Sequence, residues 1–170
     1  MDFANLYEHG FVRVAACTLP ITLVQPEKNA DAVAAIAREC AAEGVALAVF
    51  PELCLTGYSI EDLLLNDTVL EAADDAVGVL AEATADLDVV IVAGAPLRSL
   101  NRIYNCAVVL HRGEILGVVP KSYLPTYREF YERRQIGAGD DVTGDIRVAG
   151  RDAPFGADLL FAAADVANFV

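Results

Sequence analysis

Two stretches of this chain set residues capable of acid–base chemistry against apolar runs. In Phe50-Pro51-Glu52-Leu53-Cys54-Leu55-Thr56-Gly57-Tyr58, an apolar run from Val45 to Phe50 delivers a glutamate just past a proline. A carboxylate held beside apolar surface is a candidate general base. In Val118-Val119-Pro120-Lys121-Ser122-Tyr123-Leu124-Pro125-Thr126-Tyr127, a lone lysine follows another apolar run. An ammonium at the rim of a core is costly unless it faces a carboxylate or a developing oxyanion. Directly after it comes Arg128-Glu129-Phe130-Tyr131-Glu132-Arg133-Arg134, a dense charged and aromatic run unlike anything earlier in the chain. Each residue also has a plainer reading. Glu52 fits a capping carboxylate in a Pro-Glu turn, and Lys121 fits a surface lysine whose stem lies on apolar neighbours.

The elements that must position these residues follow from periodicity. Phe11 to Cys17 reads as a first strand, rich in β-branched and small apolar residues. Asn29 or Asp31 caps a helix running to about Ala42, with Val33, Ile36, Ala37 and Cys40 at helical spacing and Gly44 as its stop. Val45 to Phe50 is a continuously apolar strand, as expected where both faces of a sheet are covered. Ser59 and Asp62 open a second helix that continues to about Asp86, and Val89 to Gly94 is the third strand. Ile103–Leu110 and Ile115–Val119 flank a hairpin turn at Gly113. Pro120 to Gly156 reads as loop. A last apolar run begins at Asp158-Leu159-Leu160-Phe161, and Asn168-Phe169-Val170 carries no stop signal. The order β-α-β-α-β-hairpin is that of an α/β domain, in which ligands sit at the carboxyl ends of strands. Glu52 falls at such an end.

Composition narrows the partners. Twelve Lys and Arg stand against 25 Asp and Glu, a formal charge of −13, so phosphate backbones and anionic membranes are repelled. No apolar run reaches membrane-spanning length, and Met1-Asp2-Phe3-Ala4 lacks a signal-peptide pattern. Cys17, Cys40, Cys54 and Cys106 form no CxxC pair and lie in apolar contexts, which suits reduced cytoplasmic thiols packed as small hydrophobes. His9 and His111 have no clustered ligand partners, so no metal site is expected. The glycines of Gly137-Ala138-Gly139-Asp140 and Gly144-Asp145 lack the lysine and the strand-to-helix setting of a phosphate-binding loop. A hydrophobic fraction of 55% and a mean hydropathy of +0.41 are high for such a charged chain.

Taken together, Phe-Pro-Glu-Leu with Thr-Gly-Tyr behind it, and Pro-Lys with Leu-Pro-x-Tyr behind it, resemble the carbon–nitrogen hydrolase (nitrilase) superfamily. The longer pattern Lys121-x-x-Leu124-Pro125-x-Tyr127-x-x-Phe130-x-Glu132-x-Arg134 is similar to the glutaminase domain of two-domain, glutamine-dependent NAD synthetases. So are Tyr7-x-His9-Gly10-Phe11-Val12-Arg13-Val14-Ala15 and Gly57-Tyr58-Ser59-Ile60-Glu61-Asp62-Leu63. The resemblance runs from about residue 7 to the end.

That resemblance implies an α-β-β-α sandwich, of which residues 1–170 would be only the first part. It implies a Glu-Lys-Cys triad that hydrolyses L-glutamine, with Glu52 as general base and Lys121 stabilising the oxyanion. Glu132 matches the family's second glutamate, with Glu129 as the alternative, and Tyr127 and Tyr58 would line the glutamine pocket. The family nucleophile is a cysteine followed by Glu-Asp on a later strand, and no cysteine here has that context. The chain is therefore expected to stop before its nucleophile and to be inactive and poorly soluble alone. In the intact enzyme, ammonia would pass to a synthetase domain that uses ATP and Mg, and the protein would form homo-oligomers. A stand-alone nitrilase-type amidase and a non-catalytic scaffold of the same fold are the competing readings.

Overall fold

Two helical crossovers organise the first half of the chain, in a computed structural model that describes residues 5–163. β1 (Val14–Ala16) leads into α1 (Pro26–Ala42), which returns the chain to β2 (Leu47–Val49), parallel to β1. α2 (Asp67–Ala83) repeats the move and delivers β3 (Val90–Ser99) parallel to β2. The sheet then turns antiparallel through β4 (Arg102–His111) and β5 (Glu114–Pro120). A final hairpin of β6 (Thr143–Val148) and β7 (Arg151–Gly156) adds β7 parallel to β5, giving seven strands in the order β1-β2-β3-β4-β5-β7-β6.

Side chains alternate across a strand, so register assigns the two faces. Ala15, Ala48, Ile91 and Leu110 share one face, and this face packs beneath α1 and α2. The helices bury Ala30, Val33, Ala34 and Ala37 from α1 and Ala76, Val77, Leu80 and Ala81 from α2 against it. These small residues let the helices lie close to the sheet and to each other. Burial of each larger aliphatic chain contributes about 1.5–3 kcal/mol. The opposite face carries Val14, Val49, Val92 and Asn105, with Val14 59% and Val49 41% exposed. Near β5 this face is covered in part, because Leu159 and Phe161 lie over Gly117. The described residues thus provide a mixed α/β fold with one sheet and one helical layer.

Several element boundaries differ from the expectation. α1 starts earlier, at Pro26, because proline is pre-organised for the first helical turn and needs no N–H there. The second helix does not run from Ser59. A 3-10 turn at Glu61–Leu65 breaks at Asn66, whose side chain accepts from the Thr68 N–H at 2.9 Å and caps α2 afresh. β3 runs on to Ser99 and forms a tight hairpin with β4 through a left-handed Leu100. The stretch read as loop contains β6 and β7. Residues 159–163 form no regular element, and Asn168-Phe169-Val170 lie outside the described residues.

Candidate active site

Glu52 sits on a tight turn just past β2, where Pro51 ends the strand. Leu53 takes the left-handed conformation at φ 49°, and the turn closes through Cys54 N–H to the Pro51 carbonyl (3.2 Å) and Gly57 N–H to the Leu53 carbonyl (2.7 Å). It is pressed onto β3 at Gly94. A Cβ there would meet the Leu53 nitrogen and lie 2.6 Å from the Pro51 oxygen, so the approach requires glycine. The Gly94 N–H donates to the Cys54 sulfur at 3.3 Å and the Gly94 carbonyl accepts from Leu55 at 3.1 Å. From the other side the buried Asn29 amide donates to the carbonyls of Thr22 (2.8 Å) and Leu55 (2.9 Å). The carboxylate therefore stands on a rigid base.

Lys121 leaves the carboxyl end of β5, which runs parallel to β2 and β3 and so opens on the same sheet end as Glu52. Its backbone is fixed by its own N–H to the Asn105 carbonyl (2.8 Å) and by the Gly139 N–H to its carbonyl (3.0 Å). The ammonium lies between two carboxylates, 2.7 Å from Glu52 Oε1 and 3.0 Å from Glu132 Oε1. Glu132 opens a 3-10 turn and is 6% exposed. Its Oε1 also accepts from the Tyr58 hydroxyl at 2.7 Å, while its buried Oε2 has no partner among the described residues. Arg134 and Gln135 grip Asp62, and Tyr131 bonds Glu61, which ties this segment to the 3-10 turn after Tyr58.

Burial works to lower the Lys121 pKa, but hydrogen bonds and charge from Glu52 and Glu132 outweigh it and hold the ammonium above its ordinary value. Lys121 stays protonated at neutral pH. Burial, and then the bond to Glu132, push the Tyr58 phenol well up, so it remains a donor. Glu52, whose side chain is 42% exposed, keeps Oε2 free of hydrogen bonds to the described residues.

The structure thus brings together Glu52, Lys121, Glu132 and Tyr58 from distant parts of the sequence. Glu132, not the exposed Glu129, meets Lys121. Tyr127 is 64% exposed, and its ring lies 6.0 Å from that of Phe130, which in turn lies 6.4 Å from Tyr58. One participant was missed. Asn105 is buried in β4 on the open face, and its side-chain N–H donates to Glu52 Oε1. A lone amide inside Ile103-Tyr104-Asn105-Cys106-Ala107-Val108-Val109-Leu110 was its signal.

None of the four thiols reaches Glu52. Cys54 is fully buried against Gly94, and burial pushes its thiol up to about 11. Cys106 faces the helix side, opposite to Asn105, and burial raises its pKa further. Cys17 and Cys40 face each other at 3.8 Å. The described residues hold no cluster of three or more His, Cys, Asp or Glu suited to a metal, and no helix long and apolar enough to cross a membrane.

A carboxylate, a lysine and a second carboxylate at one sheet end point to a class, and comparison with known proteins agrees. The carbon–nitrogen hydrolase family profile matches residues 13–157, and the chain belongs to that family. Over all 170 residues it is 61% identical to the glutamine-dependent NAD(+) synthetase of Mycobacterium tuberculosis (strain ATCC 25618 / H37Rv), aligning with 25% of that protein. Against the same enzyme of Mycobacterium leprae (strain TN) it is 60% identical over 170 residues, again 25% of the relative. The chain spans about a quarter of the length of these curated relatives. The crystal structure of a glutamine-dependent NAD(+) synthetase from Cytophaga hutchinsonii superposes with a TM-score of 0.82 at 28% identity, covering 91% of this chain and 26% of that one. An amidase from Nesterenkonia sp. shares the fold at a TM-score of 0.66 and 21% identity, over 84% of this chain and 54% of that one.

Proposed function

We propose that residues 1–170 are the first part of a glutaminase domain that feeds ammonia to an ATP- and Mg-dependent NAD synthetase domain of the same polypeptide. The observation that carries this reading is the Lys121 ammonium held between Glu52 and Glu132 at 2.7 and 3.0 Å. Support comes from 61% identity along the whole chain to a relative named a glutamine-dependent NAD(+) synthetase. That identity also favours this reading over a stand-alone amidase or a scaffold.

The chemistry follows from the residues. Glu52 takes the proton of a cysteine thiol, and the thiolate attacks the side-chain carboxamide carbon of L-glutamine. The carbonyl oxygen becomes an oxyanion facing the Lys121 ammonium. As the C–N bond breaks, Glu52 returns its proton to the leaving nitrogen and ammonia departs. Water, deprotonated by Glu52, then cleaves the thioester to glutamate and restores the thiol. Glu132 keeps Lys121 aimed and charged, and Tyr58 and Tyr127 border the glutamine pocket. None of Cys17, Cys40, Cys54 and Cys106 makes a hydrogen bond to Glu52 among the described residues, and the family resemblance assigns the nucleophile to a cysteine followed by Glu-Asp on a later strand.

Ammonia release from L-glutamine by the full-length protein tests this reading. The expected result is steady release that Glu52→Gln or Lys121→Met lowers by about 10²–10⁴-fold. Unchanged release in both variants would exclude the site.

A further inference from the structure

Asn105 stands where the surrounding pattern calls for an apolar residue. On the open face of β4 its neighbours at two-residue spacing are Ile103 and Ala107, and it is 4% exposed. Burying an amide is unfavourable unless it is hydrogen-bonded, whereas an alanine or valine at this position would have no such need. The bonds it does make go to both charged members of the site. Its side-chain N–H donates to Glu52 Oε1, the same oxygen that receives the Lys121 ammonium at 2.7 Å. Its backbone carbonyl accepts the Lys121 N–H at 2.8 Å. One residue therefore fixes the carboxylate through its side chain and the lysine through its backbone.

We propose that Asn105 is a positioning residue for amide hydrolysis, holding Glu52 Oε1 on Lys121 so that Oε2 faces the incoming thiol as the proton acceptor. This rests on the glutaminase reading above. The Glu52 side chain is 42% exposed and has rotatable bonds beyond its rigid turn. Lys121 alone binds it as a point charge and leaves the carboxylate plane free to rotate. A second donor, neutral and on a strand, defines that plane without adding a cation that would weaken the base. The acceptor is then poised before substrate binds, which lowers the barrier to the chemical step and leaves ground-state affinity alone.

Asn105→Asp and Asn105→Thr in the full-length protein separate this role from simple packing. Aspartate keeps the shape but, when ionised, presents no donor to a carboxylate, while threonine keeps a donor. For Asn105→Asp, kcat for glutamine is expected to fall about 10–100-fold, the worth of one hydrogen bond to a charged group. KM is expected to stay within about threefold, as for an interaction used in the chemical step. Asn105→Thr is expected to recover part of kcat. Crystal structures of both variants give a readout independent of turnover, with Glu52 expected to rotate off Lys121 in the aspartate variant. If Glu52 keeps its contact with Lys121 there, or if kcat is unchanged, Asn105 does not position the base. If the unaltered protein releases no ammonia from glutamine, the glutaminase reading fails, and the Glu52 geometry in the crystals still decides the part played by Asn105.

Discussion

Replacing Lys121 with methionine removes the ammonium that the buried Glu132 faces and keeps a side chain of similar length. Glu132 is 6% exposed and is left with the Tyr58 hydroxyl at 2.7 Å. At 3.0 Å the lysine attraction amounts to roughly 5–6 kcal/mol at an effective dielectric of about 20. Part of that is already offset by the desolvation of both groups. Breaking a buried pair from one side costs about 3–5 kcal/mol, and the 29% exposure of Lys121 places this case at the lower end. The Glu52 arm adds less than about 1 kcal/mol, because that carboxylate is 42% exposed and screened. Lys121→Met is therefore expected to cost about 3 kcal/mol and to lower Tm. Adding Glu132→Gln removes the stranded charge, so the double variant should recover at least about 2 kcal/mol relative to the sum of the singles. Thermal unfolding of the full-length parent and variants, followed by far-UV circular dichroism, reads the cost. A Lys121→Met variant within about 0.5 kcal/mol of the parent, or strictly additive singles, would refute the reading of Lys121 and Glu132 as a coupled buried pair.

Gly94→Ala places a methyl against the backbone of the Glu52 turn, 2.6 Å from the Pro51 oxygen. It is expected to cost about 1–3 kcal/mol and to lower glutamine hydrolysis more than Leu100→Ala, a change at a 94% exposed turn residue. Asp74 accepts the Ala149 N–H, but burial raises its pKa, so its protonated form is favoured by folding. The folded state thus loses stability as pH rises through and above 3.8, and Asp74→Asn escapes that loss. In unfolding curves taken from pH 3 upward, the variant is expected to gain on the parent as pH rises; a gain that shrinks would contradict the assignment. Burial and the neighbouring Cys40 hold the Cys17 thiol up to about 11. Its alkylation at pH 8 should be about 100-fold slower than that of a free cysteine and should rise about tenfold per pH unit. Alkylation at the free-cysteine rate, read by mass spectrometry, would contradict this.

The site was largely legible in the sequence because its charged members sit at ends of apolar runs. Glu52 follows Pro51 at the close of β2, and Lys121 follows Pro120 at the close of β5. Proximity between them was not legible from spacing, since 69 residues separate them and only the sheet order makes them neighbours. Between Glu132 and Glu129 the sequence left a choice, because both belong to one charged run; the 3-10 turn at Glu132–Arg134 buries the former. Asn105 escaped notice inside a strand read for its hydrophobicity alone. The β6–β7 hairpin was hidden by Gly144, Asp145, Asp152 and Pro154. Its signal was the alternation of Ile146 with Val148 and of Ala153 with Phe155, all buried on one face. The β3–β4 turn at Leu100 lacks the Gly or Asn-Gly pattern that marks tight hairpins, and a left-handed leucine has no sequence signature.

Quenched turnover followed by peptide mass spectrometry addresses the catalytic assignment most directly. Full-length protein is mixed with L-glutamine, stopped in acid during steady state, and mapped for a γ-glutamyl thioester. The expected result is an adduct on a cysteine other than Cys17, Cys40, Cys54 and Cys106, absent in Glu52→Gln. An adduct on any of those four, or ammonia release with no thioester and no dependence on Glu52, would contradict a Glu-Lys-Cys site built on Glu52 and Lys121.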